Sequence, residues 1–338
     1  MTNSRFLAAA VCVVSILVLS IQSVQAQEND LSAKLSQFVG ENGRKYIQPA
    51  VSSFSADLNS GIFQSADVHG LFGFEVDLVT MFAPVPNDKK TFQATLPDTI
   101  VYQNNIYLAG RDYDRSIVTP TALGSDAGAK VFTKQGTPTE VFQFPGGTGL
   151  KLIPLVTPQL KVGALWGTEV IFRYLPAIKL NDDVGKLNLV GIGAKHSISQ
   201  WLPGPSLVGA SRPGEFPIDI SAGLMYQELT LKDTSGGDFI KTKAFSIGVQ
   251  ASKTILLLTV YGGIGYESAT TNISYNYQPA SGFASGLKPL SVKLEDIKAD
   301  NTIRITGGLK LHALFLDVFA DYSVASQPVA SAGLAISF

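Results

Sequence analysis

The sequence predicts an all-β protein, a transmembrane antiparallel β-barrel of about 10–14 strands with a short helical, plug-like segment ahead of it. Three observations carry this expectation. No stretch beyond Ala26 approaches the ~18 uninterrupted apolar residues of a spanning helix; the best, Ile255 to Tyr266, holds Thr259 and three glycines. Apolar residues instead alternate with polar ones along segments of about 10–15 residues, longer than the usual ~5–6-residue strand and near the length of a tilted membrane strand. The minority face carries Gly, Ser and Thr with isolated charges, as a polar lumen would. A secreted soluble β-protein, with the apolar face inward, is the alternative architecture.

Composition agrees with a chain that avoids the cytosol. Charged residues are 16% against ~25% in an average soluble domain. Mean hydropathy is +0.20. Net charge is −1, from 26 basic and 27 acidic residues, with no basic run to grip phosphates, so no nucleic-acid partner is expected.

Residues 1–26 read as a secretory signal peptide: Arg5, an apolar run from Phe6 to Ile21, then a polar stretch ending at Ala26, with cleavage expected after Ala26. The sole cysteine, Cys12, lies in that run, so the mature chain is expected to hold no disulfide and no Cys-based metal or redox site. Residues 27–66 read as helical. Asp30 caps a helix with Leu31, Leu35 and Phe38 on one face and Gly40 at its end. Ile47, Ala50, Val51, Phe54 and Leu58 form a second stripe, with Pro49 in its first turn and Asn59-Ser60-Gly61 as the stop. Such a pair either plugs the lumen, binds a periplasmic partner or lies on the membrane.

Residues 67–338 read as the barrel. Phe72, Phe74, Val76 and Leu78 alternate with Gly73, Glu75 and Asp77. Ile218 to Tyr226 alternate against Asp219, Ser221, Gly223 and Gln227, with Met225 the exception on the polar side. Ile303, Ile305, Leu309 and Leu311 oppose Arg304, Thr306, Lys310 and His312, and Leu316, Val318, Ala320 and Tyr322 oppose Asp317, Phe319, Asp321 and Ser323. Asn181 to Gly185 and Lys232 to Asp238 read as polar loops; the joints near Lys253-Thr254 and Ala313-Leu314 read as tight turns. The segments 84–147 and 269–299 read as long external excursions. The first could also be a barrel hairpin.

The last residues, with Ala330, Ala332, Leu334, Ile336 and Phe338 on one parity, resemble the C-terminal signature of Gram-negative outer-membrane barrels. That resemblance implies that Phe338 is read by the barrel-assembly machinery. A helical hatch before such a barrel, with Gln48-Pro49-Ala50, resembles the long-chain fatty-acid and aromatic-hydrocarbon outer-membrane transporters. Leu58-Asn59-Ser60-Gly61 with Ala66, Thr168-Glu169-Val170, Arg173-Tyr174-Leu175-Pro176 and Gly191 to His196 resemble an uncharacterised family of predicted outer-membrane barrels. It implies fold and location and assigns no site residue.

The lumen-lining candidates are Glu75, Asp77, Glu169, Arg173, Arg304, Lys310, His312, Asp317 and Asp321. A turn at Ala313-Leu314 puts Lys310 opposite Asp317 and Thr306 opposite Asp321, with Arg304 diagonal to Asp321. These charges either guide solute and hold the plug, or form a salt-bridge ladder that fills a narrow barrel. No G-x-S-x-G, H-E-x-x-H or phosphate-loop motif is present, and the three histidines lack ligand-spaced partners, so no enzyme, metal or cofactor is expected. The expected function is a passive channel for small hydrophobic molecules in outer-membrane lipid; a structural or adhesion barrel is the alternative.

Overall fold

The computed structural model describes residues 41–96, 98–102, 105–181, 185–202, 217–232, 237–277 and 290–338. The signal peptide with Cys12, the helix expected after Asp30, the Asp182-Asp183 loop and most of the loops after Lys232 and Tyr277 lie outside the described residues. Helix α1 is Glu41–Leu58 and strand β1 is Phe74–Pro84. Six short strands follow: β2 (Thr91–Thr95), β3 (Thr99–Tyr102), β4 (Asn105–Leu108), β5 (Ser116–Pro120), β6 (Lys130–Phe132) and β7 (Glu140–Gln143). The long strands are then β8 (Leu152–Ala164), β9 (Thr168–Asn181), β10 (Gly185–Ser197), β11 (Asp219–Lys232), β12 (Asp238–Ile255) and β13 (Leu258–Tyr277). The chain ends with β14 (Leu290–Lys298), β15 (Ile303–Ala313), β16 (Leu316–Val324) and β17 (Val329–Ser337).

The described residues divide into two compact units. One contains residues 41–51, Val85–Leu152 and Ile273–Ile297. Its short strands pair as β2 with β5, β3 with β4 and β6 with β7, and none of them joins the long sheet. Residues 84–147 are therefore a large insertion with its own hairpins, which resolves the alternative that sequence left open. The first turns of α1 belong here: Tyr46 is buried, and its hydroxyl donates to the Gly146 carbonyl at 2.8 Å. α1 begins two turns earlier than the stripe from Ile47 indicates, so Pro49 sits inside the helix rather than in its first turn.

The other unit, Ser52–Pro84, Ile153–Asn272 and Lys298–Phe338, holds the barrel. The sheet runs β12-β11-β10-β9-β8-β1-β17-β16-β15-β13, and β12 pairs with β13, closing a ring of ten antiparallel strands; β14 pairs with β13 outside it. Closure removes both sheet edges. The C-terminal strand β17 sits between β16 and β1, with Leu78 opposite Leu334. Beyond that ladder Phe74 and Phe338 exchange both backbone bonds, at 3.0 and 2.9 Å, and their rings stack 5.3 Å apart.

Burial is inverted relative to a soluble protein. Phe172, Tyr174, Val190, Ile192, Ile247, Val249, Val260, Ile264, Ile305, Leu309, Val318 and Leu334 are all exposed on the outer face, while Lys161, Glu169, Arg173 and Lys195 are buried inside. An apolar band of this extent on a closed barrel matches a lipid-facing surface. The inverted faces answer the soluble alternative, whose apolar side would face in.

The hairpin turns depart from the sequence reading. The joints are Leu256-Leu257 and Leu314-Phe315, the second one residue beyond the expected position, and Leu256 and Leu314 take φ of 56° and 60°. The register is thereby displaced by two: His312, not Lys310, faces Asp317, while Lys310 faces Phe319 and Gly308 faces Asp321. Parity survives because the slip is even, so every side chain stays on its expected face.

Candidate functional site

A barrel with an ionic interior must satisfy each buried charge locally. Here the partners come from the wall and from the chain segment between α1 and β1. Residues 59–73 pass through the ring and are held mainly by side chains. Gly61 marks the turn out of the helix; its φ is +58°, and a Cβ there would lie 2.5 Å from the Val79 side chain, so glycine suits both the backbone and the space.

Arg173 is the central grip. Fully buried, it donates from Nη1 to the Leu58 carbonyl and from Nη2 to the carbonyls of Ser60 and Gly61, each at 2.8 Å, and from Nε to Gln159 Oε1 at 2.8 Å. The planar fork satisfies carbonyls that the ending helix leaves open. Gln159 Nε2 donates to the Ile62 carbonyl at 3.1 Å, Gln227 Nε2 to the Leu58 carbonyl at 2.5 Å and Lys195 Nζ to the Asp67 carbonyl at 2.5 Å. Lys161 also donates to Gln64. The Met225 anomaly is explained here: it points inward and packs on Ile62 and Ile171, with Phe63 against them, so one apolar knot anchors the segment within a polar interior.

The candidate residues fall into three groups. Glu75 joins Lys161 and Lys310, each at 2.5 Å; Lys161 reaches Asp77 at 2.8 Å and Lys310 reaches Asp317 at 3.0 Å. Five of the charges thus form one cluster. Glu169 pairs with Lys195 at 3.1 Å and His69 at 2.5 Å rather than with Arg173, although both lie on the same face. Arg304 pairs with Glu267 through Nε at 2.6 Å and Nη2 at 2.9 Å, and not with Asp321, which instead accepts from the Tyr261 hydroxyl at 3.0 Å. The displaced register is the cause. His312 bridges Asp317 and Thr259 at 2.9 and 2.8 Å.

Sequence reading missed Lys161, Lys195, Gln159 and Glu267. Lys161 and Gln159 share parity with Thr157 and Leu155 in β8, a signal that alternation offered but Pro154 and Pro158 obscured.

The Lys310–Asp317 contact is diagonal rather than directly opposed, yet its geometry predicts real coupling. Lys310→Ala, Asp317→Ala and the double variant should show an interaction energy of about 0.5–3 kcal/mol in thermal or urea unfolding. Additive losses would contradict the pairing.

Asp57 near the end of α1 is fully buried, and neither carboxyl oxygen has a hydrogen-bond partner among the described residues. Burial pushes its carboxyl well above the ordinary value of 3.8, against the opposing pull of Arg304. The folded state then holds a proton that the unfolded state releases. Stability from this group is fully present below pH 3.8 and declines as pH rises toward the elevated folded value. Asp57→Asn should therefore raise the unfolding midpoint at pH 7, with the gain vanishing in acid. An equal gain at both pH values would contradict the assignment.

The fold and its contents define a class: a closed ten-stranded antiparallel barrel with an apolar exterior and a charged lumen occupied by its own N-terminal segment. The chain belongs to DUF6588, a family of unknown function whose model matches residues 1–338. No curated protein matches it. Among solved structures it is similar to OmpT, an outer membrane protein of Vibrio cholerae, at 13% identity over 78% of this chain and 98% of that one, with a TM-score of 0.24. It is also similar to the beta domain of the Bordetella autotransporter BrkA, at 12% identity over 79% and 100% of the two chains and a TM-score of 0.23. A BenF-like porin from Pseudomonas fluorescens Pf-5 is similar at 9% identity over 79% and 97%, with a TM-score of 0.17.

Proposed function

We propose that the protein is an outer-membrane barrel that conducts small solutes passively when its N-terminal segment leaves the lumen. The observation that supports this most is how the segment is held. Residues 58–69 are anchored by side chains on Arg173, Gln159, Gln227, Lys161, Lys195 and Ser252 rather than by strand pairing. Such contacts exchange with water without breaking the barrel's ladder, and they leave behind a hydrophilic wall.

The ionic lining suits a polar solute along the axis. A hydrophobic solute, as the resemblance to fatty-acid transporters implies, would need to leave through the wall. Gln48-Pro49-Ala50, which carries that resemblance, lies within α1. Export by a cleaved signal peptide, assembly through Phe338 and the absence of catalysis or a cofactor belong to this same reading. An adhesion role, resting on the 84–147 insertion, is the second reading.

A disulfide lock tests gating. The hydroxyl oxygens of Ser65 in the segment and Ser252 in β12 lie 3.3 Å apart. Ser65→Cys with Ser252→Cys should close the lumen to small sugars in liposome-swelling assays when oxidised and release it when reduced. Equal permeability in both redox states would reject gating and favour the structural reading.

A further inference from the structure

The lumen is not uniformly packed. Between residues 59–63 of the plug and the β12, β13, β15 and β16 walls lies a cavity of about 80 Å³. That is room for several waters or a small organic molecule. Gly248, Gly263 and Gly265 line it beside the buried inner-face residues Ser246, Gln250, Tyr261 and Glu267. A Cβ at any of the three would lie 2.6–2.9 Å from backbone atoms of the facing strand, so glycine there lets β12 and β13 approach closely at the cavity wall.

The lining polar groups are unusually unpaired. Asp321 Oδ1, Asn59 Oδ1, Gln250 Nε2 and Ser246 Oγ lack hydrogen-bond partners among the described residues, and each belongs to a side chain at least nine-tenths buried. Buried polar atoms are normally satisfied, so four orphans around one cavity mark a place for an occupant. Its charge follows from the ledger of ions. Among the described residues the buried ions are Glu75, Asp77, Glu169, Glu267, Asp317 and Asp321 against Lys161, Arg173, Lys195, Arg304 and Lys310, an excess of one acid with Asp57 held neutral. Arg304, the base that lines the cavity, is already committed to Glu267, Ser60 and Ala56. Tyr261 occupies only Oδ2 of Asp321.

We propose that this cavity is a binding site for a small organic ammonium compound. Its head is held by Asp321, Ser246 and Asn59, and its short apolar body lies between Phe63 and the glycine backbone of β12 and β13. Occupancy does not require the plug to move, so the site stands apart from the gating reading.

The test uses refolded full-length protein in detergent micelles, titrated with n-propylammonium chloride by saturation-transfer NMR, with protein-free micelles as reference. n-Propanol and propionate serve as neutral and anionic counterparts. The ammonium compound should bind saturably, at least tenfold more tightly than either counterpart, and Asp321→Asn should remove that preference. Ser246→Val should weaken binding several-fold with the carboxylate intact. Propanol binding as tightly as the amine on the unaltered protein would overturn the proposal. So would wild-type amine affinity in a folded Asp321→Asn variant.

Discussion

Arg173→Met is expected to cost about 3–5 kcal/mol of stability and to free the plug. Methionine fills much of the volume but donates nothing, so the carbonyls of Leu58, Ser60 and Gly61 and the Gln159 side chain lose their shared donor inside the lumen. Leu58 keeps a donor in Gln227, so the loss falls on the Ser60 and Gly61 carbonyls and on Gln159, each acceptor left orphaned costing about 1–3 kcal/mol. The folded barrel should lose its unboiled gel mobility at a lower temperature, and chymotrypsin should cut at Phe63. Arg173→Lys should recover only part of the loss, because a single ammonium cannot reproduce a planar fork. An unchanged transition and an uncut plug would show that Arg173 is not its anchor.

Glu75→Gln should cost a comparable amount, about 3–5 kcal/mol, for a different reason. Glu75 stands between Lys161 and Lys310, and removing its charge leaves two buried ammonium groups sharing Asp77 and Asp317. Lys310→Met added to Glu75→Gln should cost more still, because it takes the cluster from two ammonium groups and two carboxylates to one against two and leaves Asp317 without its ammonium partner. A double variant more stable than the single one would show that the charges are not balanced as the distances indicate. Both measurements are thermal unfolding of the refolded protein followed by gel mobility.

The legible part of this protein is the part with a period of two. Alternation placed Glu75, Asp77, Glu169, Arg173, Arg304, Lys310, His312, Asp317 and Asp321 on the polar face, and the structure buries eight of the nine, leaving His312 half-buried. It also read Met225 as an exception, and an exception it is, facing a plug residue rather than a polar lumen. The weak point was the turns. Leu314-Phe315 lacks the Gly, Asn or Asp that usually announces a hairpin, so the sequence places the turn one residue early; Lys310 still meets Asp317, diagonally, but Arg304 pairs with Glu267 and not with Asp321. The insertion between Pro84 and Gly147 was equally opaque, because strands of three to five residues carry too little pattern to separate from a loop.

The sequence by itself determined which residues of each long strand share a face, because side-chain direction in a strand alternates whatever the strand pairs with. Only the tertiary structure decided which charges meet. Glu169 finds Lys195, Arg304 finds Glu267, and Arg173 finds the carbonyls of a segment more than 100 residues away. Those partners are fixed by register, by ring closure at β12 and β13 and by the path of the plug. None of these leaves a local mark in the chain, since each depends on contacts between residues that the sequence keeps far apart.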